Sequence, residues 1–217
     1  MPTTDFDLIV AGAGIVGMST ALWAQKEGLK TLICDPAPPG SGTTYGSACT
    51  IATYACIPVN SPTIFSALPH LLTSKDSPLS FNLAHGLKNP RWMLSFLDNC
   101  RPSRVKHITQ ALGGFLRHAD SGLDPLIAEA DAQDLIVSND CLYVWSSRTG
   151  FENAATSNAM RAEQGVELDE LGPDDIRSLE PNLQQAMHRG LRFKGARHIT
   201  NPQELVHRMQ LWRTCTE

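Results

Sequence analysis

Glycines stand at positions 12, 14 and 17, and an aspartate follows at position 35. A G-x-G-x-x-G run with an acidic side chain about twenty residues on is suited to holding a dinucleotide by its diphosphate. Gly12 permits a tight turn out of a strand. Gly14 has no side chain to keep the backbone from a pyrophosphate, and Gly17 lets the next helix approach the sheet. The start of that helix offers unpaired N–H groups and a partial positive charge to phosphate. Asp35 can accept hydrogen bonds from both ribose hydroxyls. It would repel a 2′-phosphate, which disfavours NADP.

A glycine-rich turn alone is only a turn, but here the elements that must position it flank it. Leu8-Ile9-Val10-Ala11 is an apolar run expected to form a buried parallel strand. Ile15 to Glu27 is expected to be a helix with apolar Val16, Ala21, Leu22 and Ala24, ending at Gly28. Thr31-Leu32-Ile33-Cys34 is a second strand that delivers Asp35. Together these make a βαβ opening with a parallel sheet.

The bulk properties are those of an ordinary globular protein of 217 residues, 42% hydrophobic and 18% charged. A net charge of −4 and a pI near 6.0 argue against a nucleic-acid partner. Arg101, Arg104, Lys106 and His107 form a local basic cluster, read as a solvated helix start, with an anionic membrane surface as the alternative. No apolar run reaches the ~18 residues of a membrane span. Asp5 and Asp7 sit where a signal peptide would carry Lys or Arg. An intracellular, cytoplasmic protein is therefore expected, with a peripheral position on the inner face of the cell membrane as an alternative. The cysteines (34, 49, 56, 100, 141, 215) form no C-x-x-C pair, and the histidines form no H-x-x-x-H pair. Reduced thiols and no metal are expected.

Residues 36–63 are rich in Pro and Gly and leave the second strand beside the expected ligand site. Thr43, Thr44 and Ser47 could donate to phosphate or ribose there, or be solvated turn residues. Short helices broken at Pro69 and Pro78 are expected over 64–85. Trp92, Met93, Phe96 and Leu97 mark another helix. A long helix capped by Pro102-Ser103 carries Val105, Ile108, Leu112, Phe115, Leu116 and Ala119. Gly113-Gly114 inside it costs ~2 kcal/mol against alanine, which close packing would offset. Leu135-Ile136-Val137 and Leu142-Tyr143-Val144-Trp145, around Asn139-Asp140, read as an antiparallel hairpin. A helix over 152–163, a strand at 166–168 and a helix over 174–179 follow. After Gly190 to Phe193, Asn201 and Pro202 open a last helix through Met209. The antiparallel element differs in kind from the opening unit and implies a second domain.

The chain resembles the N-terminal half of FAD-dependent D-amino-acid dehydrogenases in the glycine/D-amino-acid oxidase (DAO) family. The resemblance lies in Val10-x-Gly12-x-Gly14-Ile15-x-Gly17, Ala21-Leu22, Gly28 and Asp35. It continues in Thr43-Thr44-Tyr45-Gly46-Ser47-Ala48-Cys49, where the family commonly reads T-S-F-A-N-A-G. Cys100 to Val105, Leu142-Tyr143-Val144, Leu179-Glu180-Pro181 and Gly190 to Leu205 extend it. It implies an α/β fold: a Rossmann-like FAD-binding domain with a parallel sheet, plus part of an α+β substrate domain with antiparallel strands. The expected divisions are 1–66 for the first part of the FAD domain, 67–189 for a helical region and the start of the substrate domain, and 190–217 for the return to the FAD domain.

The resemblance further implies FAD held by Gly12, Ala13, Gly14, Ile15, Val16, Gly17, Asp35, Pro36, Thr43, Thr44 and Tyr45. The implied reaction is oxidative deamination of a D-amino acid by hydride transfer to flavin N5, giving a 2-oxo acid and ammonia. The implied electron acceptor is a membrane quinone or carrier. No catalytic residue is assigned, because an amine bound neutral needs no side-chain base; Tyr45, Tyr54 and His70 are read as packing, surface or cofactor-loop groups. Ser47 and Cys49 depart from the family's Asn and Gly. Family members are longer, and the groups that hold the substrate carboxylate are expected beyond this sequence. Three alternatives stay open: a glycine- or sarcosine-oxidase-like enzyme, an NAD-dependent dehydrogenase on the same fingerprint, and a non-catalytic FAD-binding fragment.

Overall fold

The structure is a computed structural model that describes residues 5–60, 62, 88–183 and 186–214. The helices expected over 64–85, and His70, lie outside these residues. In chain order the elements begin with β1 (Leu8–Ala11), α1 (Ile15–Lys26), β2 (Thr31–Cys34) and β3 (Thr50–Ile51). Next come α2 (Pro90–Asn99), α3 (Pro102–Leu116), α4 (Ala119–Glu129) and a 3-10 turn at Gln133–Leu135. Then follow β4 (Ile136–Ser138), β5 (Cys141–Trp145), α5 (Arg148–Asn153), α6 (Ala155–Glu163), β6 (Leu168–Leu171) and α7 (Pro173–Leu179). The last are β7 (Arg189–Phe193), β8 (Arg197–Ile199) and α8 (Pro202–Thr214). The described residues fall into two compact units, one drawn from 1–53, 117–143 and 191–217 and the other from 54–116 and 144–190.

The first unit opens as the sequence pattern requires. β1 and β2 pair in parallel, with Leu8 opposite Thr31 and Ala11 opposite Cys34. The stripe of α1 that reaches the core is Met18, Ala21 and Leu22, each no more than 1% exposed. Val16, expected on that face, is 77% exposed; it falls outside the i, i+3, i+4 set that Met18 begins. β1 is not the fully buried strand expected, since Ile9 is 65% exposed and burial alternates along it. Burying both faces of a strand takes a layer on each side, and the described ladder has two strands.

The core of this unit joins α1 to elements far away in sequence. Met18 and Leu22 pack with Leu126 and Ile127 of α4, Ile51 of β3, Ile199 of β8, and Leu205, Val206 and Met209 of α8. The Trp23 indole N–H donates to the Gly122 carbonyl at 2.8 Å, and Lys26 pairs with Glu129. α8 starts as its residues predict: Pro202 occupies the first helical position, and Asn201 Oδ1 accepts the Glu204 N–H at 3.0 Å. Arg208 then bonds Glu204 on the same helix, the Asp134 carboxylate and the Asp131 carbonyl.

The expected hairpin around Asn139-Asp140 does not form. β4 pairs antiparallel with β8, in the order β3-β8-β4, while β5 belongs to a separate sheet ordered β5-β7-β6. The residues between β4 and β5 are anchored elsewhere. The Asp140 carboxylate accepts the Gly195 N–H at 3.1 Å and pairs with Arg192 at 3.6 Å. The Gly195 turn thus separates β7 from β8 where Asn139-Asp140 separates β4 from β5. Tyr143 and Phe193 meet edge to face at 5.0 Å across β5 and β7.

The helical boundaries also shift. The helix from Pro102 stops at Leu116, so Ala119 opens α4 instead, and Phe115 is 82% exposed rather than core. The expected 152–163 helix is two, α5 and α6, meeting at Ala154. The strand expected at 166–168 lies at Leu168–Leu171, and α8 runs beyond Met209 to Thr214. Gly113 does what the sequence demands of it: a Cβ there would lie 2.8 Å from Gln164 Oε1. Cys56 and Cys100 are buried, and burial raises both thiol pKa values. No helix among the described residues is long and apolar enough to cross a membrane.

Leu22 is fully buried among side chains of α4 and α8. Leu22→Ala is expected to lower stability by ~2–5 kcal/mol, read as a lower midpoint in urea unfolding followed by circular dichroism.

Candidate functional site

The site forms at the carboxyl end of β1. Gly12 adopts φ +107°, a left-handed conformation that glycine takes without strain. Its N–H donates to the Cys34 carbonyl at 2.8 Å, continuing the ladder one residue past the strands. Gly17 has no room for a side chain. A Cβ there would lie 2.0 Å from the Gly12 carbonyl oxygen and 3.3 Å from Val10 Cγ1. The helix start therefore lies directly over the strand end.

Three groups from the loop after β2 fasten this turn. Asp35 Oδ2 accepts the Ala13 N–H at 2.7 Å, and Oδ1 accepts the Ala37 N–H at 2.8 Å. The Ala13 carbonyl accepts the Gly40 N–H at 2.9 Å. The Thr44 hydroxyl accepts the Ile15 N–H at 3.0 Å. Gly14, the N-cap residue of α1, has no side chain to cap its own helix, so Thr44 caps it from across the loop. The N–H groups that open the helix beside it have no partners within the helix. A Cβ at Gly14 would stand 3.0 Å from Thr44 Oγ1. The cradle is thus kept open by the missing side chain.

The electrostatics favour an anion at the helix start and hydroxyl groups beside Asp35. The Ala13 N–H and then the Ala37 N–H hold the Asp35 carboxyl below the ordinary carboxylate range. Asp35 is exposed, and a carboxylate has acceptor capacity beyond two bonds.

The structure brings together Gly12, Ala13, Gly14, Ile15, Val16, Gly17, Asp35 and Thr44 of the residues singled out in sequence. Pro36 follows Asp35 directly. Thr43 and Tyr45 stand exposed on the loop, Tyr45 at 67%. Cys49, where the resembling family reads Gly, keeps a left-handed φ of +60°. Its N–H donates to Ser47 Oγ at 3.3 Å and its thiol to the Ser47 carbonyl at 3.2 Å. Tyr54 is buried. Arg101 and Arg104 are exposed and face Asp98 at 3.1 and 3.5 Å, the solvated helix start expected.

Gly40 was not legible as a site residue. A Cβ there would meet Val206 Cβ at 3.1 Å and the Gln203 backbone at 3.3 Å, both on α8. Its φ of +71° is a local signal, but its partner lies far along the chain.

Two outcomes test this construction. Gly17→Ala must push the helix off the Gly12 carbonyl and is expected to cost ~1–3 kcal/mol, measured by denaturant unfolding. Asp35→Asn removes a carboxylate whose folded pKa is depressed. Such a group contributes fully above its unfolded pKa of ~3.9 and loses that contribution as pH falls toward the folded value. The stability gap between the natural chain and Asp35→Asn is therefore expected to be constant from pH 7 to pH 5 and to shrink below about pH 4. A gap that persists unchanged at pH 3 would remove the carboxylate from the turn.

The family model for DAO, "FAD dependent oxidoreductase", matches residues 7–213. A D-amino-acid oxidase of Bradyrhizobium diazoefficiens is 29% identical over 196 residues, covering 89% of this chain and 46% of that protein. D-amino acid dehydrogenase 2 of Ralstonia nicotianae is 28% identical, covering 81% of this chain and 42% of that protein. The chain thus spans less than half the length of these relatives. Glycine oxidase from Geobacillus kaustophilus shares the fold with a TM-score of 0.58 at 13% identity, over 96% of this chain and 44% of that one. L-alpha-glycerophosphate oxidase from Mycoplasma pneumoniae, solved with FAD bound, does so with a TM-score of 0.56 at 14% identity, over 96% and 42%. With a family match across nearly its whole length, the chain belongs to the DAO family of FAD-dependent oxidoreductases.

Proposed function

We propose that this chain carries the FAD-binding part of an enzyme that oxidatively deaminates D-amino acids to 2-oxo acids and ammonia. The observation that carries the cofactor side is the side-chain-free cradle at Gly14, bounded by Thr44 and the start of α1. The relatives named D-amino-acid oxidase and D-amino acid dehydrogenase support the substrate class. FAD, when bound, supplies the two-electron acceptor that this oxidation needs. The main-chain N–H groups of Gly14, Val16 and Gly17 would hold its diphosphate, with Thr44 beside them. Asp35 would take the ribose hydroxyls with its remaining lone pairs. Thr43, Tyr45 and Pro36 would flank the ligand from the loop.

An NAD-dependent dehydrogenase requires a third parallel strand soon after Asp35. The next strand, β3, instead pairs antiparallel with β8, and the family is a flavin family. A non-catalytic FAD-binding fragment is the second reading. It is favoured by exposed Val16 and Tyr45 beside the turn and on its loop.

The test is a visible spectrum of the purified chain after FAD addition and desalting. Retained flavin bands support the cofactor assignment, and a colourless protein sinks it. A D-amino-acid panel then separates the two readings. Dye reduction without peroxide indicates a dehydrogenase that uses a quinone or carrier, peroxide indicates an oxidase, and no turnover with flavin bound leaves the fragment. Gly14→Val fills the cradle and is expected to weaken FAD by at least about tenfold, ~1.4 kcal/mol, in a fluorescence titration.

A further inference from the structure

Asp35 borders a cavity of about 190 Å³ that lies within the first unit and is shared with the turn through Ala13. Its apolar walls are Met18, Ile33, Ala37 and Pro39, and its second polar group is Gln210 of α8. Pockets that enclose a whole ligand run ~300–1,000 Å³, so this one suits a single ring system of a larger ligand. Met18 is 1% exposed and part of the core, which makes that wall firm. The cavity is lined by Asp35 next to the glycine turn, by apolar residues suited to a flat ring, and by Gln210, a half-buried residue. A glutamine amide offers a donor and an acceptor side by side. That pair matches the N6 amine and N7 of adenine, the edge glutamine and asparagine read in nucleic acids.

We infer that Gln210 selects the adenine end of the dinucleotide, in the cavity between Asp35 and α8. This rests on the FAD reading above and adds to it a specificity-determining residue from the far end of the chain. Hypoxanthine carries a carbonyl in place of the N6 amine. Its O6 and N7 are both acceptors, so the amide oxygen of Gln210 would face a second acceptor and lose its bond.

The full chain and Gln210→Met, which keeps side-chain length and removes the amide, are titrated with FAD, with flavin hypoxanthine dinucleotide and with FMN. Flavin fluorescence reports binding, and circular dichroism reports the fold. The natural chain is expected to bind FAD roughly three- to tenfold more tightly than the hypoxanthine analogue, the span of one or two net hydrogen bonds. Gln210→Met is expected to bring FAD to the affinity of the analogue and to leave FMN, which lacks the adenosine, unchanged. The base comparison in the natural chain needs no variant and stands even if Gln210→Met misfolds. Equal affinity for both bases, or unchanged FAD binding by a folded Gln210→Met, would overturn the role of Gln210 while leaving the FAD assignment in place. Absence of FAD binding by the natural chain would remove both.

Discussion

The approach of α1 to the carbonyl of Gly12 is the contact on which the rest of this structure depends. At 2.0 Å from a hypothetical Cβ of residue 17, no other residue type fits without moving the helix. That closeness lays the helix start over the end of β1, where its first N–H groups have no partners within the helix. It also leaves the turn made almost entirely of main chain. Peptide groups with no side chains around them must find hydrogen bonds elsewhere, and the loop after β2 supplies them. Asp35 takes the Ala13 N–H, Gly40 gives its N–H to the Ala13 carbonyl, and Thr44 takes the Ile15 N–H.

This division of labour explains why the loop carries so much Pro and Gly. Pro36, Pro38 and Pro39 restrict the unfolded chain, which reduces the entropy lost in closing the loop. Gly40 then lets the loop pass against Val206 and Gln203 of α8. α8 is itself held by Arg208, which reaches Glu204, Asp134 and Asp131. The glycine turn at the start of the chain is thus backed, through this loop, by a helix from near the other end of the described residues. Elements widely spaced in sequence act as one support.

Local signals were readable where a residue's conformation decides its role. The strand, turn, helix and second strand around Gly12 to Asp35 follow from apolar runs and glycine spacing, and so do the Asn201 cap and the Gly113 contact. The misreadings share a cause. Ile136 to Ser138 and Cys141 to Trp145 do form strands, but a two-residue connection does not say which neighbours they will choose. Asp140 is drawn to Gly195 and Arg192, and the two strands part into different sheets. Phe115 has helical spacing, yet the packing of α3 turns that position outward. Periodicity marks an amphipathic face without saying what covers it.

By itself the sequence determined the strand, glycine turn and helix that open the chain, and the family, because glycine at 12, 14 and 17 and acid at 35 act through backbone conformation and charge over a short span. It also singled out Thr44 as one hydroxyl among several. Tertiary structure alone decided that Thr44, not the exposed Thr43, caps α1, and that Asp35 bonds the Ala13 N–H of the turn as well as the Ala37 N–H of its own loop. It alone brought Gln210 and Met18 to one cavity. These depend on loop closure and on helices packing across more than a hundred residues, and such contacts are set by the whole core rather than by any local run of residues.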